Sequence, residues 1–557
     1  MRLIHIHSVI NDLLPCADAG RRESSLLAIN NPAPPPRTKI TMFNPTVALL
    51  LLSLAQYVLS YNILAIISLP LKSHYMAMQP LFKELAAKGH SVTVVNNFPD
   101  ENPVNNLHFI DLKTVSSANR FPTLEYYEDF DSNYLHMFNF YRHVTVESQF
   151  NDCETLFKNE EVRTGLAGGS FDVIFVEGFM SDCALAIAGA KSDAPIISIA
   201  SHVMLPWMYP RLGLSFDPSS DAFYFSNAGP NPSLINKVES FLMHAVFNTV
   251  GRWYIQRGIR ASFANHLPGY ELDVEEIARR RMKMLFSYQH FSVTGARPLA
   301  PQVLEIGGLH VGKPKALPKD VDTFLSEATH GAIYVSFGSN LKSSSMSPRK
   351  LEQFLEAFKR IQPIKVLFKW ENGSIPDENV LAKSWFPQLD VLCHPKLIGF
   401  VSHGGMLSTS EAANCGVPMV AVPFFGDQFG NAASIKAAGL GTTVFFDRLT
   451  GDSLAAAIKD ITSAETQEKA KKIARLWNDR PMSALDSAIY WTEYVARHKQ
   501  APPSLPSKAS WCQTIPIGVY SVLLLISFLI LVIFVIICKL LKAIVGLLFF
   551  KRKIKEE

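Results

Sequence analysis

The sequence predicts an α/β protein with two doubly wound parallel-sheet lobes that face a cleft, followed by one C-terminal transmembrane helix. Strand-like and helix-like segments alternate along the chain, and the alternation restarts after Gly307 and Gly308. Such alternation is typical of parallel sheets covered by helices on both faces, so each half should form one sheet. An uncharged run from Ala509 to Cys538 predicts the membrane segment.

The N-terminal half contains two strand–helix–strand patterns, followed by a less regular region. Their predicted segments are strand 62–67, helix 76–88, strand 91–95, strand 171–176, helix 182–191 and strand 195–199. A loop over residues 68–75 should follow the first strand, and Gly89 should cap the first helix. Residues 205–290 are rich in aromatic side chains and are predicted to be mainly helical.

The C-terminal half repeats this alternation more regularly. Its predicted segments are strand 332–336, helix 348–360, strand 365–369, strand 397–401, helix 406–414, strand 418–422 and helix 428–438. Ligands of open parallel sheets bind outside the carboxyl ends of the strands. The loops that follow these strands are therefore the place to look for functional residues.

The two ends of the chain predict a membrane protein with a lumenal body. Residues 514–538 would span about 37 Å at ~1.5 Å per residue, enough to cross a ~30 Å hydrocarbon core. Residues 539–557 form a basic tail that should be cytosolic by the positive-inside rule. Lys553 and Lys555 resemble a dilysine signal that returns type I proteins to the endoplasmic reticulum membrane.

A signal peptide is predicted at residues 42–60, with cleavage before Tyr61. The alternative is a signal anchor that is retained. The remaining predicted domains are an N-terminal extension without structure at 1–41, an N-terminal lobe at 61–300, a C-terminal lobe at 301–485, and a returning helix with linker at 486–513.

Charge and cysteine content narrow the function classes. The net charge of +4 is carried by residues 1–41 and 539–557, so the body is slightly acidic and no nucleic-acid partner is expected. None of the seven cysteines forms a CxxC or a metal-ligand spacing. A lumenal body permits a disulfide, but the spacing specifies no pairing.

The strand-end loops of the second half carry residue types that suit a nucleotide sugar. Gly405 at a helix N-terminus would let backbone N–H groups approach a phosphate, and His403 could donate to the same diphosphate. The indole of Trp385 could stack on a flat base, and Glu411 could accept hydrogen bonds from ribose hydroxyls. The same ends carry further candidates for phosphate and sugar contacts, namely Ser339, Gln388, Ser408, Asp427 and Gln428.

The combined spacing resembles the nucleotide-sugar signature of the UDP-glycosyltransferases, and the resemblance covers roughly residues 61–540. It implies the two-lobed GT-B fold, with a UDP-sugar donor in the C-terminal lobe and an acceptor in the N-terminal lobe. The segment from His403 to Thr409 looks more like the insect branch, which favours UDP-glucose over UDP-glucuronic acid. Leu407 departs from the family, because many members have Asn there.

The resemblance also assigns a catalytic base. The family places it at His74, and an imidazole with an ordinary pKa near 6.5 suits proton removal from an alcohol or phenol. A carboxylate should orient the ring, and the aligned candidate is Glu177, with Asp182 as a competitor. No Asp-x-Asp motif occurs in the donor region, so no metal and no cofactor beyond the UDP-sugar co-substrate are expected.

The sequence thus predicts an inverting hexosyltransferase that moves a sugar, glucose by preference, to a hydroxyl of a small lipophilic acceptor. Its partners would be the UDP-sugar, the acceptor and a membrane reached through one helix. A homo-oligomer remains one option for its assembly. Leu407 and Glu177 allow an alternative, a catalytically weak UDP-sugar-binding or interaction protein that retains the fold.

Overall fold

The computed structural model describes residues 60–116, 122–129, 147–166, 169–179, 182–220, 222–223, 226–230, 232–499 and 517–556. The chain forms two compact units, of which Leu59–Ser507 is the body. The other unit contains the C-terminal helix. The predicted extension and almost all of the predicted signal peptide lie outside the described residues.

The first lobe is a parallel sheet with helices on both faces. Its strands among the described residues are β1 Asn62–Ile67, β2 Ser91–Asn96, β3 Leu107–Asp111, β4 Val173–Glu177, β5 Ile196–Ala200, β6 Met282–Ser287 and β7 Val303–Glu305, and their order across the sheet is β3-β2-β1-β4-β5-β6-β7. Every pairing is parallel, and β4 and β5 are buried throughout. Burial on both faces explains why these strands are continuous apolar runs.

The helices of the first lobe in the described residues are α1 Lys72–Ala87, α2 Glu147–Lys158, α3 Asp182–Lys191, α4 Met208–Arg211, α5 Leu234–Val246, α6 Arg252–His266, α7 Val274–Arg281 and α8 Phe291–Thr294. Short helical turns occur at Glu125–Asp129, Glu161–Gly165 and Phe247–Gly251. Strand β7 belongs to this sheet, so the first lobe extends beyond the predicted boundary at residue 300.

The second lobe has the same architecture. Its described strands are β8 Ala332–Ser336, β9 Lys365–Lys369, β10 Val380–Lys383, β11 Leu397–Ser402, β12 Met419–Ala421 and β13 Gly441–Thr443, in the order β10-β9-β8-β11-β12-β13 and all parallel. Its described helices are α9 Lys319–Ser326, α10 Pro348–Arg360, α11 Gln388–Leu392, α12 Met406–Cys415, α13 Gln428–Ala438, α14 Gly451–Ile461 and α15 Ala464–Asn478, with a short turn at Ser343–Ser345. Both sheets have the doubly wound form that the alternation predicts.

Helix α1 begins earlier than the sequence predicts. The predicted loop over 68–75 ends at Leu71, which is the extended N-cap, and His74 lies in the first helical turn. The buried side chains of the helix begin at Tyr75, so the polar first turn has no apolar periodicity to reveal it. His74 is therefore held by helical backbone rather than by a loop.

The chain returns to the first lobe at its end. Helix α16, Ala484–Arg497, packs against α1 and β4, and its Ala488 and Ile489 belong to the buried cluster of the first lobe. Glu493 accepts a hydrogen bond from Nε2 of His90 at 3.3 Å. The last described helix of the body thus stabilises the lobe that begins the chain.

Two disulfides join the four cysteines of the described body. Cys153 pairs with Cys183, which links α2 to α3, and Cys393 pairs with Cys415, which links the end of α11 to α12. The Cα–Cα distances are 5.3 Å and 4.9 Å, both in the normal range for a disulfide. These are pairings that the sequence permitted without specifying.

The C-terminal helix, α17 Ile517–Glu556, forms part of the second unit. Its segment Tyr520–Val545 is long and apolar enough to cross a membrane, with a mean hydropathy of 3.4. The segment is shifted toward the C-terminus relative to the predicted span of 514–538. The shift arises because the helix starts after Pro516 and continues past Lys539 and Lys542.

Candidate functional site

A cavity of about 530 Å³ lies between the two lobes of the body. The first lobe contributes the β1–α1 segment and the ends of β4 and β5, and the second lobe contributes the loops after its strands. The cavity is lined by His74 and by all nine predicted donor residues, which are Ser339, Trp385, Gln388, His403, Gly405, Ser408, Glu411, Asp427 and Gln428. The strand-end argument thus brings the predicted residues of both lobes to one cleft.

His74, which lines this cavity, is paired with Glu177 behind it. Oε1 of Glu177 contacts Nδ1 of His74, and the Glu177 side chain is fully buried at the end of β4. Among the described residues, Oε2 of Glu177 has no hydrogen-bond partner. The carboxylate therefore favours the His74 tautomer with a proton on Nδ1, which leaves Nε2 as the proton acceptor.

Asp182 lies outside the cavity and binds two buried guanidinium groups. Nη2 of Arg211 donates to Oδ1 at 2.9 Å, and Nη1 of Arg252 donates to Oδ2 at 2.5 Å. Glu275 accepts from the same two arginines. Of the two carboxylates that the sequence offered for His74, Glu177 makes the contact, while Asp182 belongs to this buried ionic cluster.

His202 is a site residue that the sequence analysis missed. Its ring centroid lies 5.0 Å from that of His74 and 4.2 Å from that of Phe179, and all three side chains line the cavity. Burial holds the pKa of His202 well below its usual value, so the ring is neutral near pH 7. Its position two residues after β5 was the available signal, because residues at strand ends face the cleft.

The loop before α12 builds a phosphate-sized site. Gly404 has a φ of +77°, and Gly405 is the extended N-cap, so the first N–H groups of α12 face the cavity. A Cβ on Gly405 would lie 2.4 Å from Nε2 of His403, and one on Gly338 would lie 2.9 Å from its Cε1. Glycine is thus required at both positions to accommodate the His403 ring.

His403 reaches the cavity as a neutral side chain. Burial, and secondarily the positive charge of Lys369, lower the pKa of His403 to about 4. Oγ of Ser402 lies 3.3 Å from its Nδ1. His403 can therefore donate one hydrogen bond to a diphosphate but adds no charge near neutral pH.

Glu411 is held through both carboxylate oxygens. Nε2 of Gln388 donates to Oε2 of Glu411 at 2.5 Å and to Oγ of Ser408 at 2.9 Å. Nε2 of His310 lies 3.2 Å from Oε1 of Glu411, and Nδ1 of His310 contacts the hydroxyl of Tyr288. Such a network positions the carboxylate before a ligand arrives.

His310 and Tyr288 were also missed by the sequence analysis. Burial raises the pKa of Tyr288, so its hydroxyl stays protonated and donates to Nδ1 of His310. Nε2 of His310 is then the N–H that donates to Glu411. His310 follows the Gly307–Gly308 pair after β7, and this placement at a strand end was the signal.

Asp427 and Gln428 lie where β12 leads into α13. Burial raises the pKa of Asp427 to about 6, although Nδ2 of Asn431 donates to its Oδ2 at 2.7 Å. The positive form of His74 has a smaller, opposite effect on this pKa, and both side chains line the cavity. Oε1 of Gln428 accepts from the backbone N–H of Phe424 at 2.8 Å, which fixes its side chain.

Trp385 and Leu407 complete the cavity wall. The Trp385 side chain is 58% exposed, so one face of its indole is open for stacking. Leu407 lines the cavity and packs against the buried cluster that contains Met406 and Ile67. The family departure at Leu407 therefore adds apolar contact with the first lobe.

Comparison with known proteins agrees with this geometry. The family model described as "UDP-glucoronosyl and UDP-glucosyl transferase" matches residues 65–555. UDP-glucosyltransferase 2 of Dactylopius coccus is 33% identical over 470 residues, which cover 81% of this chain and 88% of the relative. UDP-glucuronosyltransferase 2B15 of Rattus norvegicus is 28% identical over 488 residues, which cover 84% and 91%.

Solved structures support the fold. The calicheamicin glycosyltransferase CalG4 matches 80% of this chain and all of its own, with a TM-score of 0.52 and 17% identity. UDP-glucose: anthocyanidin 3-O-glucosyltransferase in complex with UDP matches 79% of this chain and 99% of its own, with a TM-score of 0.52. The chain has the GT-B architecture and belongs to the UDP-glycosyltransferase family. It is an enzyme of that family.

Asp182→Asn should destabilise the body without impairing catalysis by the folded enzyme. The change leaves two buried guanidinium groups with less compensating charge, which costs about 3 kcal/mol. Thermal unfolding should show a lower melting temperature, while kcat of the folded fraction stays near wild type. The exposed Asp452→Asn is the matched control and should change neither. A large fall in kcat at an unchanged melting temperature would instead make Asp182 the partner of His74.

Asp427→Asn should raise thermal stability at pH 7.5 and have about half of that effect at pH 5, which lies midway between the unfolded and folded pKa values. Because the folded-state pKa is raised, Asp427 favours the folded state most below its unfolded pKa near 4, and this contribution is lost as pH rises through about 6. Asparagine removes the buried charge and can still accept from Asn431. Melting temperatures at the two pH values test this, and equal shifts at both would contradict it.

Proposed function

We propose that the enzyme transfers a hexose, glucose by preference, from a UDP-sugar to a hydroxyl of a small lipophilic acceptor with inversion at the anomeric carbon. The pairing of His74 with the buried Glu177, in the cavity that also holds Asp427, is the observation that carries the proposal. It supplies a base on the acceptor side facing sugar-binding groups on the donor side. UDP-sugar is a co-substrate, and the reaction needs no other cofactor.

The proposed step is a single displacement. The acceptor oxygen bonds to the anomeric carbon as the bond from that carbon to the UDP oxygen breaks. The acceptor proton moves to Nε2 of His74, and Glu177 stabilises the imidazolium that forms. Since the entering and leaving oxygens lie on opposite faces of the sugar, the configuration inverts.

The leaving diphosphate would be stabilised by the second lobe. The N-terminus of α12 offers backbone N–H groups and a positive dipole end, and neutral His403 adds one donor. Trp385 would stack on the uracil base, while Glu411, already oriented by Gln388 and His310, would accept from the ribose hydroxyls. Ser339 and Ser408 would add phosphate contacts from the cavity wall.

The charges around the sugar position favour a neutral hexose. Asp427 lines the same cavity as His74 and is buried, so a glucuronate carboxylate beside it would meet a second negative charge. The cavity lysines are Lys313, Lys315 and Lys369, and Nζ of Lys369 is bound by Gly338 O at 3.0 Å and Glu371 at 2.8 Å. This argument supports UDP-glucose, the donor type named in the Dactylopius relative.

The acceptor side of the cavity is apolar. Leu69, Leu71 and Phe179 form a packed group on its wall, and Met76 also lines the cavity. Such a surface would bind a lipophilic molecule and present its hydroxyl to His74. We place the enzyme in the endoplasmic reticulum membrane as a type I protein, because α17 can span a bilayer and the lysine-rich tail follows it.

His74→Ala should lower kcat by about 10²- to 10⁴-fold, because the acceptor proton loses its base. KM for UDP-glucose should change little, since the donor contacts lie in the second lobe. Glu177→Gln should give a smaller loss, because the glutamine keeps the shape without the charge. UDP release with a panel of phenols and steroids measures both.

The exposed His330→Ala is the matched control and should behave as wild type. Equal activity of His74→Ala and wild type would rule out His74 as the base. Binding of UDP-glucose with no turnover of any acceptor by the wild type would favour the alternative of a catalytically weak binding protein.

Glucosides should dominate the products when UDP-glucose, UDP-galactose and UDP-glucuronic acid compete. Asp427→Asn should lower the overall rate. It should also raise the ratio of glucuronide to glucoside products, because the charge that repels the glucuronate carboxylate is gone. Mass spectrometry of the products gives the ratios. Glucuronides as the sole products of the wild type would show that the donor assignment is wrong.

A further inference from the structure

An exposed apolar face runs along a long helical run of the first lobe. Helices α5 and α6 are joined without interruption by the π-helical turn Phe247–Gly251, which gives one helical run from residue 234 to 266. On its first half, five large apolar side chains are exposed to solvent, and they are Leu234, Ile235, Val238, Phe241 and Leu242.

The second half continues the same stripe. Val246, Val250, Trp253 and Tyr254 are also exposed, with 59% of Trp253 accessible. The spacing of three and four residues places all nine side chains on one side of the helical run. Between residues 234 and 254 the exposed positions of this described run carry no charged side chain. We call these nine residues the apolar face.

The opposite side of the run is buried against the first lobe, and this packing stabilises the helix. Phe247, Ile255, Ile259 and Phe263 are buried in the core of the first lobe. A surface helix normally turns polar residues outward once its buried stripe is satisfied. This run is instead apolar on two sides over about five turns, which marks an interaction surface rather than an ordinary exposed helix.

The residues at the edge of the face indicate what covers it. Trp253 and Tyr254 lie at its C-terminal end, and Arg257 places its guanidinium 5.6 Å from the Trp253 ring centroid. Arg260 follows, exposed, on the same side, and the half-exposed Lys237 and Glu239 flank the first half. Aromatic side chains beside arginines, next to aliphatic ones, are the composition of a helix that lies in a membrane interface.

The same chain contains a segment that can hold the body close to a membrane. Residues 500–516 connect Lys499 of the body to α17, whose segment Tyr520–Val545 can cross a bilayer. Fully extended, that connection reaches about 60 Å, which is comparable to the diameter of the body. A body tethered this closely is held at a high effective concentration near the bilayer surface. A face with only weak affinity for the bilayer is therefore enough to keep the body bound to it.

We propose that the apolar face lies in the headgroup region of the bilayer that holds α17, with Arg257 and Arg260 at anionic headgroups. The helical run that carries the face is linked toward the cavity wall by two hydrogen bonds. Asn248 donates to Pro206 O at 3.0 Å, and Trp207 donates to Gly178 O at 3.0 Å, one residue before Phe179 of the cavity wall. A lipophilic acceptor dissolved in the bilayer would thus be close to its binding site.

The test reads the depth of Trp253 in the full chain. The protein is reconstituted into vesicles of phosphatidylcholine and phosphatidylserine, and brominated phosphatidylcholine is used to quench tryptophan fluorescence. Trp253→Phe should remove a share of the quenching. Trp385→Phe, which removes an equally exposed indole in the cleft, should leave the quenched intensity unchanged. Equal quenching in wild type and Trp253→Phe would overturn the proposal.

A second variant separates the membrane from a second copy of the chain. Leu242→Glu puts a charge on the face at an exposed position, so the fold is retained, and quenching of Trp253 should fall. Leu476→Glu, an exposed leucine of the second lobe, should leave quenching intact. If Leu242→Glu instead halves the mass of the protein in detergent while Trp253 is unquenched in wild type, the face is a dimer interface and the proposal is wrong.

The proposal uses the membrane anchoring proposed above, and the two fail differently. Extraction of the vesicles at alkaline pH releases the full chain if α17 is not an anchor. A chain that stays with the vesicles while Trp253 remains unquenched overturns the apolar face alone.

Discussion

The buried carboxylate of Glu177 is the constraint from which the acceptor side of the site follows. A fully buried charge is costly unless it is paired, and the partner present is Nδ1 of His74. That pairing requires His74 to stand in the first turn of α1, directly above the end of β4. The ring is then oriented by sheet and helix together, which explains how a single imidazole can hold one nitrogen toward the cavity.

The donor side depends on glycine rather than on charge. Gly338 and Gly405 leave room for the His403 ring, and the loop at Gly404 starts α12 at the cavity wall. The polar atoms of Gln388, Ser408, Glu411 and His310 are then already bonded to one another. Because these side chains are already ordered, a ligand would replace few contacts, and binding would cost little side-chain conformational entropy.

Sequence reasoning predicted the architecture, and it predicted a set of second-lobe residues that line one cavity, because strand ends of parallel sheets converge on one edge. It could not choose between Glu177 and Asp182, because the two residues lie close together in the chain, at the end of β4 and at the start of α3. Only the packed structure shows that Asp182 is bound by two arginines. His202, His310 and Tyr288 escaped because their roles arise from contacts between distant segments. The early start of α1 escaped because its first turn is polar, whereas periodicity reports burial.

Helix α16 also determines which lobe the chain leaves last. Because it packs on α1 and β4, the chain leaves the body toward α17 from the first lobe. The chain enters the second lobe after β7 and leaves it before α16. A change in the angle between the lobes can therefore move the second lobe while α16 stays packed on the first.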